Sequence, residues 1–183
     1  MNANPDFTVS RQPEPHRERR RKILASHPEA RSLAGPARVS ALFIFGLVAF
    51  QLGAAWLLRD AAWWILLPAA YVVGAVANHA LFVLIHECTH NLVWQGTRAN
   101  RLLAIVANIP IVFPAAMSFR KYHLLHHKYQ GEFDYDADLP GPGEARLIGH
   151  STIKKALWMM FFVVVEAFRP MSRNTWRPGG TFV

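Results

Sequence analysis

Apolar positions along this chain come in long blocks, not in the short alternations of a soluble domain. Residues 1–38 are polar and rich in Pro and Arg. From Val39 to Leu58 the sequence VSALFIFGLVAFQLGAAWLL then runs twenty residues without a charge. At about 1.5 Å of rise per residue, a helix of that length spans about 30 Å, the thickness of a bilayer hydrocarbon core. Arg59-Asp60 is the polar break before a second apolar run, Ala61 to Ile85, and Trp63 and Trp64 stand beside the break where interfacial aromatics belong. Two spans joined by so short a turn predict an antiparallel transmembrane helical hairpin. The first run exceeds the apolar region of a secretory signal peptide and reads as a retained anchor.

The pattern changes after the hairpin. Leu102 to Met117 is apolar but carries Pro110 and Pro114, each of which removes a backbone donor. It is short for a span and predicts a re-entrant or interfacial segment. Residues 118–155 are polar and predict a cytosolic cap. Ala156 to Phe168 is apolar again, contains Glu166 and stops at Arg169-Pro170. This stretch predicts an interfacial helix, with a truncated span as the other option. Near the start, His16 to His27 predicts a short basic helix stopped by Pro28. No internal repeat is visible. The expected fold is an all-α membrane protein in four parts. These are a basic N-terminal segment (1–38), the hairpin (39–85), a histidine-rich region with the re-entrant segment and cap (86–155), and an interfacial end (156–183).

Composition sharpens this picture. Of 183 residues 52% are apolar, and the mean hydropathy is +0.12, high for a soluble domain of this length. The formal net charge of +8 could suggest nucleic acid, but its distribution argues otherwise. Between Arg11 and Arg38 eight Arg or Lys face three acids, Glu14, Glu18 and Glu29, immediately before the first apolar run. Basic residues beside a span favour a cytoplasmic N-terminus and attract anionic lipid. No basic groove interleaved with aromatics appears, so nucleic acid is not an expected partner. With the N-terminus in the cytoplasm, the second span returns there and releases the chain at His86. The one cysteine, Cys88, permits no internal disulfide and fits a reducing side. On a helix it points away from His86, as a small apolar filler.

The candidate chemistry starts where the second run ends. Residues 86–90 read H-E-C-T-H, two histidines four apart with a glutamate between them, the zinc-protease pattern. A second cluster follows in F-R-K-Y-H-L-L-H-H-K-Y, where His123, His126 and His127 fall on one helical face at i, i+3 and i+4. Neutral imidazoles suit first-row metals, with iron, copper, zinc and nickel all chemically open. Five of them exceed the needs of one tetrahedral zinc and could supply two metals together with other ligands. Inside the second span Asn78-His79 is a costly polar pair, explained equally by a metal role or by a helix–helix hydrogen bond. Asp134, Asp136 and Asp138 resemble the start of a calcium loop. However, Leu139-Pro140 replaces the required glycine and Ala145 stands where Glu belongs. A solvated acidic loop, steering a basic partner or pairing with Arg120 and Lys121, is the expectation that remains.

These residues carry a resemblance. EPHRERRRKILASHPEARSL at 14–33, ANHALFVLIHECTHN at 77–91 and NRLLAIVANIPIVFPAAMSFRKYHLLHHKYQG at 100–131 are similar to sphingolipid delta-4 desaturases, within the membrane fatty acid desaturase superfamily. DADLP at 136–140 and FRPM at 168–171 continue the agreement. The resemblance implies a transmembrane bundle under a cytosolic cap holding two irons, and oxygen-dependent dehydrogenation of dihydroceramide or a fatty acyl chain. It implies an electron donor such as cytochrome b5 or ferredoxin, and an endoplasmic reticulum or bacterial inner membrane. By position His86 and His90 match the family's first histidine box, and His123, His126 and His127 its second. Glu87 becomes an orienter beside a ligand, with His79 a weaker candidate. The family's third box has no counterpart here, which implies an N-terminal half that is inactive alone. Hydroxylation of the same lipids is the near alternative, and a membrane zinc protease or a non-catalytic membrane protein the distant ones.

Overall fold

The two longest apolar stretches become the two longest helices, the second in spite of Pro68. The computed structural model describes residues 15–111, 113–133 and 135–169. The expectations for residues 1–14, for Asp134 and for the end at Gly179–Val183 lie outside them. Among the described residues the regular structure is helical throughout, as an all-α membrane protein requires. The chain divides into two units, one from Glu29 to Arg120 and the other built from the chain on either side of it.

In the first unit, helix α2 runs Val39–Leu57. It is followed by α3, Trp63–Ala69, and α4, Ala75–Thr89. Between α3 and α4 the chain stays helical but widens through Ala70–Gly74, where the Ala75 N–H reaches back five residues to the Ala70 carbonyl. Pro68 inside α3 is the local reason: it has no N–H, and its ring crowds the carbonyl four residues back. Val39–Leu57 and the continuous Trp63–Thr89 are both long and apolar enough to cross a membrane. The second helix runs four residues beyond the expected end at Ile85, because His86, Glu87, Cys88 and Thr89 keep its bonding. His86 therefore lies inside the last turn, not after it.

α2 and α4 pack antiparallel. The Ala37 N–H donates to the Leu92 carbonyl at 2.7 Å, and Gln51 Nε2 donates to Asn78 Oδ1 at 2.9 Å. Thus Asn78 serves helix pairing, one of the two roles open to it. α5, Thr97–Asn108, completes the unit with the first residues of α6, Ala116–Lys128. Pro110 and Pro114 lie in the break between them. The core is Ile44 and Val48 of α2, Leu81, Ile85 and Cys88 of α4, Val93, and Ala104 and Ala107 of α5. Cys88 is buried there, facing away from the histidines as expected.

The second unit holds α1, Pro15–Ser26, and three short helices: α7 (Pro142–Ile148), α8 (Thr152–Met160) and α9 (Phe162–Phe168). The apolar stretch expected as one helix breaks at Phe161, whose backbone leaves helical geometry. Arg169 ties the end of α9 to its surroundings, donating to Glu166, Glu144 and the Asp138 carbonyl.

Candidate metal centre

The first histidine pair is set by how α4 stops. Asn91 adopts a left-handed backbone, φ 59°, and the Leu92 and Asn91 N–H groups donate to the Glu87 and Cys88 carbonyls at 3.0 and 3.1 Å. That is a Schellman ending with asparagine in the position glycine usually takes. It leaves His90 as the last half-helical residue, one turn above His86, with ring centroids 4.8 Å apart. The Thr89 carbonyl is not reached by the turn. Arg120 of α6 supplies a guanidinium instead, donating through Nη1 to Thr89 and, at 3.3 Å, to Cys88. Next to it Phe119 packs edge-on against Phe82 at 4.9 Å and lies 6.1 Å from the His86 ring. Glu87 Oε1 stands 3.7 Å from His86 Nδ1, an ion-pair distance longer than a hydrogen bond. His79 is exposed, on the same helical stripe as His86 and about 10 Å lower by the rise of seven residues.

Two asparagines of α5 fix the flanks. Asn100 accepts from the Val93 and Trp94 N–H groups and donates to the Trp94 and Gly96 carbonyls, pinning the loop after His90. Asn108 accepts from the Ala115 and Ala116 N–H groups and donates to the Phe113 carbonyl, so it caps the start of α6. Helix α6 then carries the second cluster.

In that cluster His123 Nε2 and His127 Nε2 lie 3.0 Å apart. Two nitrogens each about 2.1 Å from one ion, at right angles, would be about 3.0 Å apart, while tetrahedral positions would be about 3.4 Å apart. The observed 3.0 Å is a hydrogen-bond distance, and it is also close enough for both nitrogens to address one ion. His126 turns elsewhere. Its Nδ1 lies 2.8 Å from Asp136 Oδ1 and 3.2 Å from Asp138 Oδ2. An ionised carboxylate can only accept, so the hydrogen bond puts a proton on Nδ1 and turns Nε2 away from the aspartates. Asp136 is 1% exposed and also accepts from the Gly131 N–H at 2.9 Å and the Asp138 N–H at 3.0 Å. Gly131 has φ 84°, which a side chain would strain, and the Tyr129 and Tyr135 rings stack at 4.6 Å across this loop. The expected solvated acidic loop is therefore corrected: Asp136 is a buried partner of histidine, and Arg120 is engaged with the carbonyls of α4. His126, Asp136 and Asp138 bring their ligand atoms within 4.8 Å of one another. Since three hydrogen bonds already occupy the Asp136 carboxylate, it suits orienting His126 better than binding an ion.

Sequence reasoning placed the histidines and missed what holds them. Arg120, Asn100 and Asn108 have no spacing signal, because each acts across a loop or on another helix, and the spacing of Asp136 does not tell a buried partner from a solvated one.

With this geometry in view, the comparisons with known proteins are decisive. Residues 61–181 match the fatty acid desaturase family, and residues 3–38 match the sphingolipid delta4-desaturase family. The chain belongs to the fatty acid desaturase family. The matched residues 61–181 include both histidine clusters. Among individual desaturases, the chain is 43% identical over 174 residues to the sphingolipid delta(4)-desaturase DES1-like protein of Oryza sativa subsp. japonica, covering 95% of this chain and 53% of that one. It is 35% identical over 171 residues to the sphingolipid delta(4)-desaturase DES1 of Homo sapiens, covering 92% and 53%. It is also 35% identical over 168 residues to a putative sphingolipid delta(4)-desaturase/C4-monooxygenase of Caenorhabditis elegans, covering 91% and 46%. The chain spans about half the length of the curated relatives it matches. No solved structure matches it.

Proposed function

We propose that this chain contributes the first two histidine boxes of an oxygen-dependent sphingolipid desaturase, which forms the delta-4 double bond that turns dihydroceramide into ceramide. His86, His90, His123, His126 and His127 are the proposed metal ligands, with Asp136 orienting His126 and Glu87 beside His86. What carries the reading is the position of His86 and His90 on the last turn of an apolar helix long enough to cross a membrane. A metal held there meets an acyl chain at the depth where lipid begins. Iron bound to these imidazoles would supply the redox chemistry, in which molecular oxygen, two hydrogens from adjacent carbons, two electrons from a carrier such as cytochrome b5 or ferredoxin and two protons would end as two waters and a double bond. The residues of this chain orient the ligands, supply the imidazoles and keep water from the core side of α4. Five imidazoles are fewer than two irons require, so further ligands have to come from other groups. The basic residues before α2 orient the site toward the cytoplasm in this reading.

The test is iron content per detergent-solubilised chain, compared with His86→Ala and His123→Ala. Each substitution is expected to lower bound iron at least severalfold, and unchanged iron would remove these residues from the site. Hydroxylation is the second reading, favoured by the relative named both desaturase and C4-monooxygenase. Mass spectrometry of dihydroceramide products separates the two: loss of two hydrogens marks desaturation, gain of one oxygen marks hydroxylation.

A further inference from the structure

A charged side chain buried among the apolar residues of the first unit calls for a reason. Arg120 is 8% exposed and lies against Cys88 and Thr89, both buried on the last turn of α4. A helix end of this kind leaves carbonyls unsatisfied and carries a partial negative charge. The Schellman turn takes care of Glu87 and Cys88 through Leu92 and Asn91. The Thr89 carbonyl, between the two histidines and adjacent to His90, is the one that Arg120 closes. The bond comes from a residue 31 positions away in sequence, so it is a tertiary lock on a helix end and not a local cap. Phe119, the neighbour of Arg120 on α6, packs on the same turn through Phe82 and lies near His86.

We infer that Arg120 is a positioning residue for the His86–His90 pair. Its guanidinium fixes the last turn of α4, and with it the rotation of both imidazoles about the helix axis. An α-helix whose terminal carbonyls lack partners frays from the end, and the residues lost first here are Thr89 and His90. Two ligands one turn apart bind an ion together only while that turn is closed. Nη1 alone reaches both carbonyls, and the guanidinium suits this place better than an ammonium because it is more weakly hydrated and stays charged in an apolar setting.

This inference rests on the proposed metal role of His86 and His90, and the experiment separates the two. Cobalt(II) is titrated into the detergent-solubilised chain, following its visible absorption. Thermal unfolding is recorded alongside for the unsubstituted chain, Arg120→Lys and Arg120→Met. Arg120→Met is expected to weaken cobalt binding per folded protein about 10- to 100-fold and to change the absorption band. Arg120→Lys is expected to recover part of the loss. If the unsubstituted chain binds no cobalt, the metal reading itself fails. If it binds and both variants keep its affinity and spectrum, Arg120 does not position the pair. The positioning role is equally overturned if Arg120→Met only lowers the unfolding temperature while the folded fraction binds normally. Should Arg120→Met not fold, Arg120→Lys decides alone, since it keeps the charge and much of the volume: affinity within twofold of the unsubstituted chain overturns the inference.

Discussion

At the scale of single residues, Asp136 decides which nitrogen of His126 can work. Three donors converge on its carboxylate, and burial keeps water from replacing them. Asp136→Ala should leave the Gly131 and Asp138 N–H groups and the His126 ring without their acceptor, at a cost of about 1–3 kcal/mol in stability. Beyond stability, metal affinity should fall about 10- to 100-fold, because the imidazole is no longer held with Nδ1 protonated. Chemical unfolding and a metal titration read the two effects separately. An unchanged affinity would mean that His126 is oriented by something else. The histidines themselves were legible from spacing, since i, i+3 and i+4 positions share a face whatever surrounds them. Asp136 was not, because D-x-D-x-D looks the same whether the middle aspartate faces water or a ring ten residues earlier.

At the scale of helices, the boundaries follow local chemistry and the junctions follow tertiary contacts. Val39–Leu57 needed only its apolar run to be recognised. The second helix outran its apolar run, since H-E-C-T continues helical bonding as readily as leucine does until Asn91 turns the chain. Asn100 and Asn108 read in sequence as indifferent helix residues, yet each satisfies the backbone of a neighbouring loop. Asn108→Ala removes the acceptor for the first N–H groups of α6, and should cost about 1–3 kcal/mol. Hydrogen exchange at Ala115 and Ala116 should speed up in the variant, and protection equal to that of the unsubstituted chain would count against the cap. The break of the last apolar stretch at Phe161 likewise had no sequence signal. Trp158 of α8 donates to Glu144 at 2.6 Å, and Arg169 at the end of α9 donates both to Glu166 and to that same Glu144, so both halves are drawn to one carboxylate of α7.

At the scale of the whole molecule, pH enters through one buried network. Burial, together with nearby Asp138 and Glu144, pushes the Glu166 carboxyl up to about 7 against the opposing pull of Arg169. For Glu144 burial also raises the pKa, but hydrogen bonds from Arg169, the Gly141 N–H and the Trp158 indole outweigh it and hold the carboxyl below its ordinary value. A carboxyl raised on folding contributes stability that is full below its unfolded value near 4.5 and is lost as pH rises through about 7. The chain should therefore unfold at a lower temperature at pH 8 than at pH 6, and Glu166→Gln should flatten that slope. Calorimetry of both chains across this window tests it, and a slope that survives the substitution would assign it to other groups. Hydropathy alone revealed the membrane-protein class. The Glu144–Glu166–Arg169 network stayed hidden because its members are scattered over 26 residues of sequence, counting both ends.

The wide turn at Ala70–Gly74 has a meaning for how such chains are aligned. A helix that bridges five residues where four would do has absorbed one extra residue, and each residue advances the helix by about 100°. The azimuth of His79, His86 and His90 relative to Trp63 and Trp64 is therefore set there, more than ten residues before the first box. Point changes between 70 and 74 leave that phase intact. A single-residue gap in the same place swings every downstream side chain by more than a quarter turn while altering no histidine, so a desaturase can keep a perfect motif and still aim it at the wrong wall.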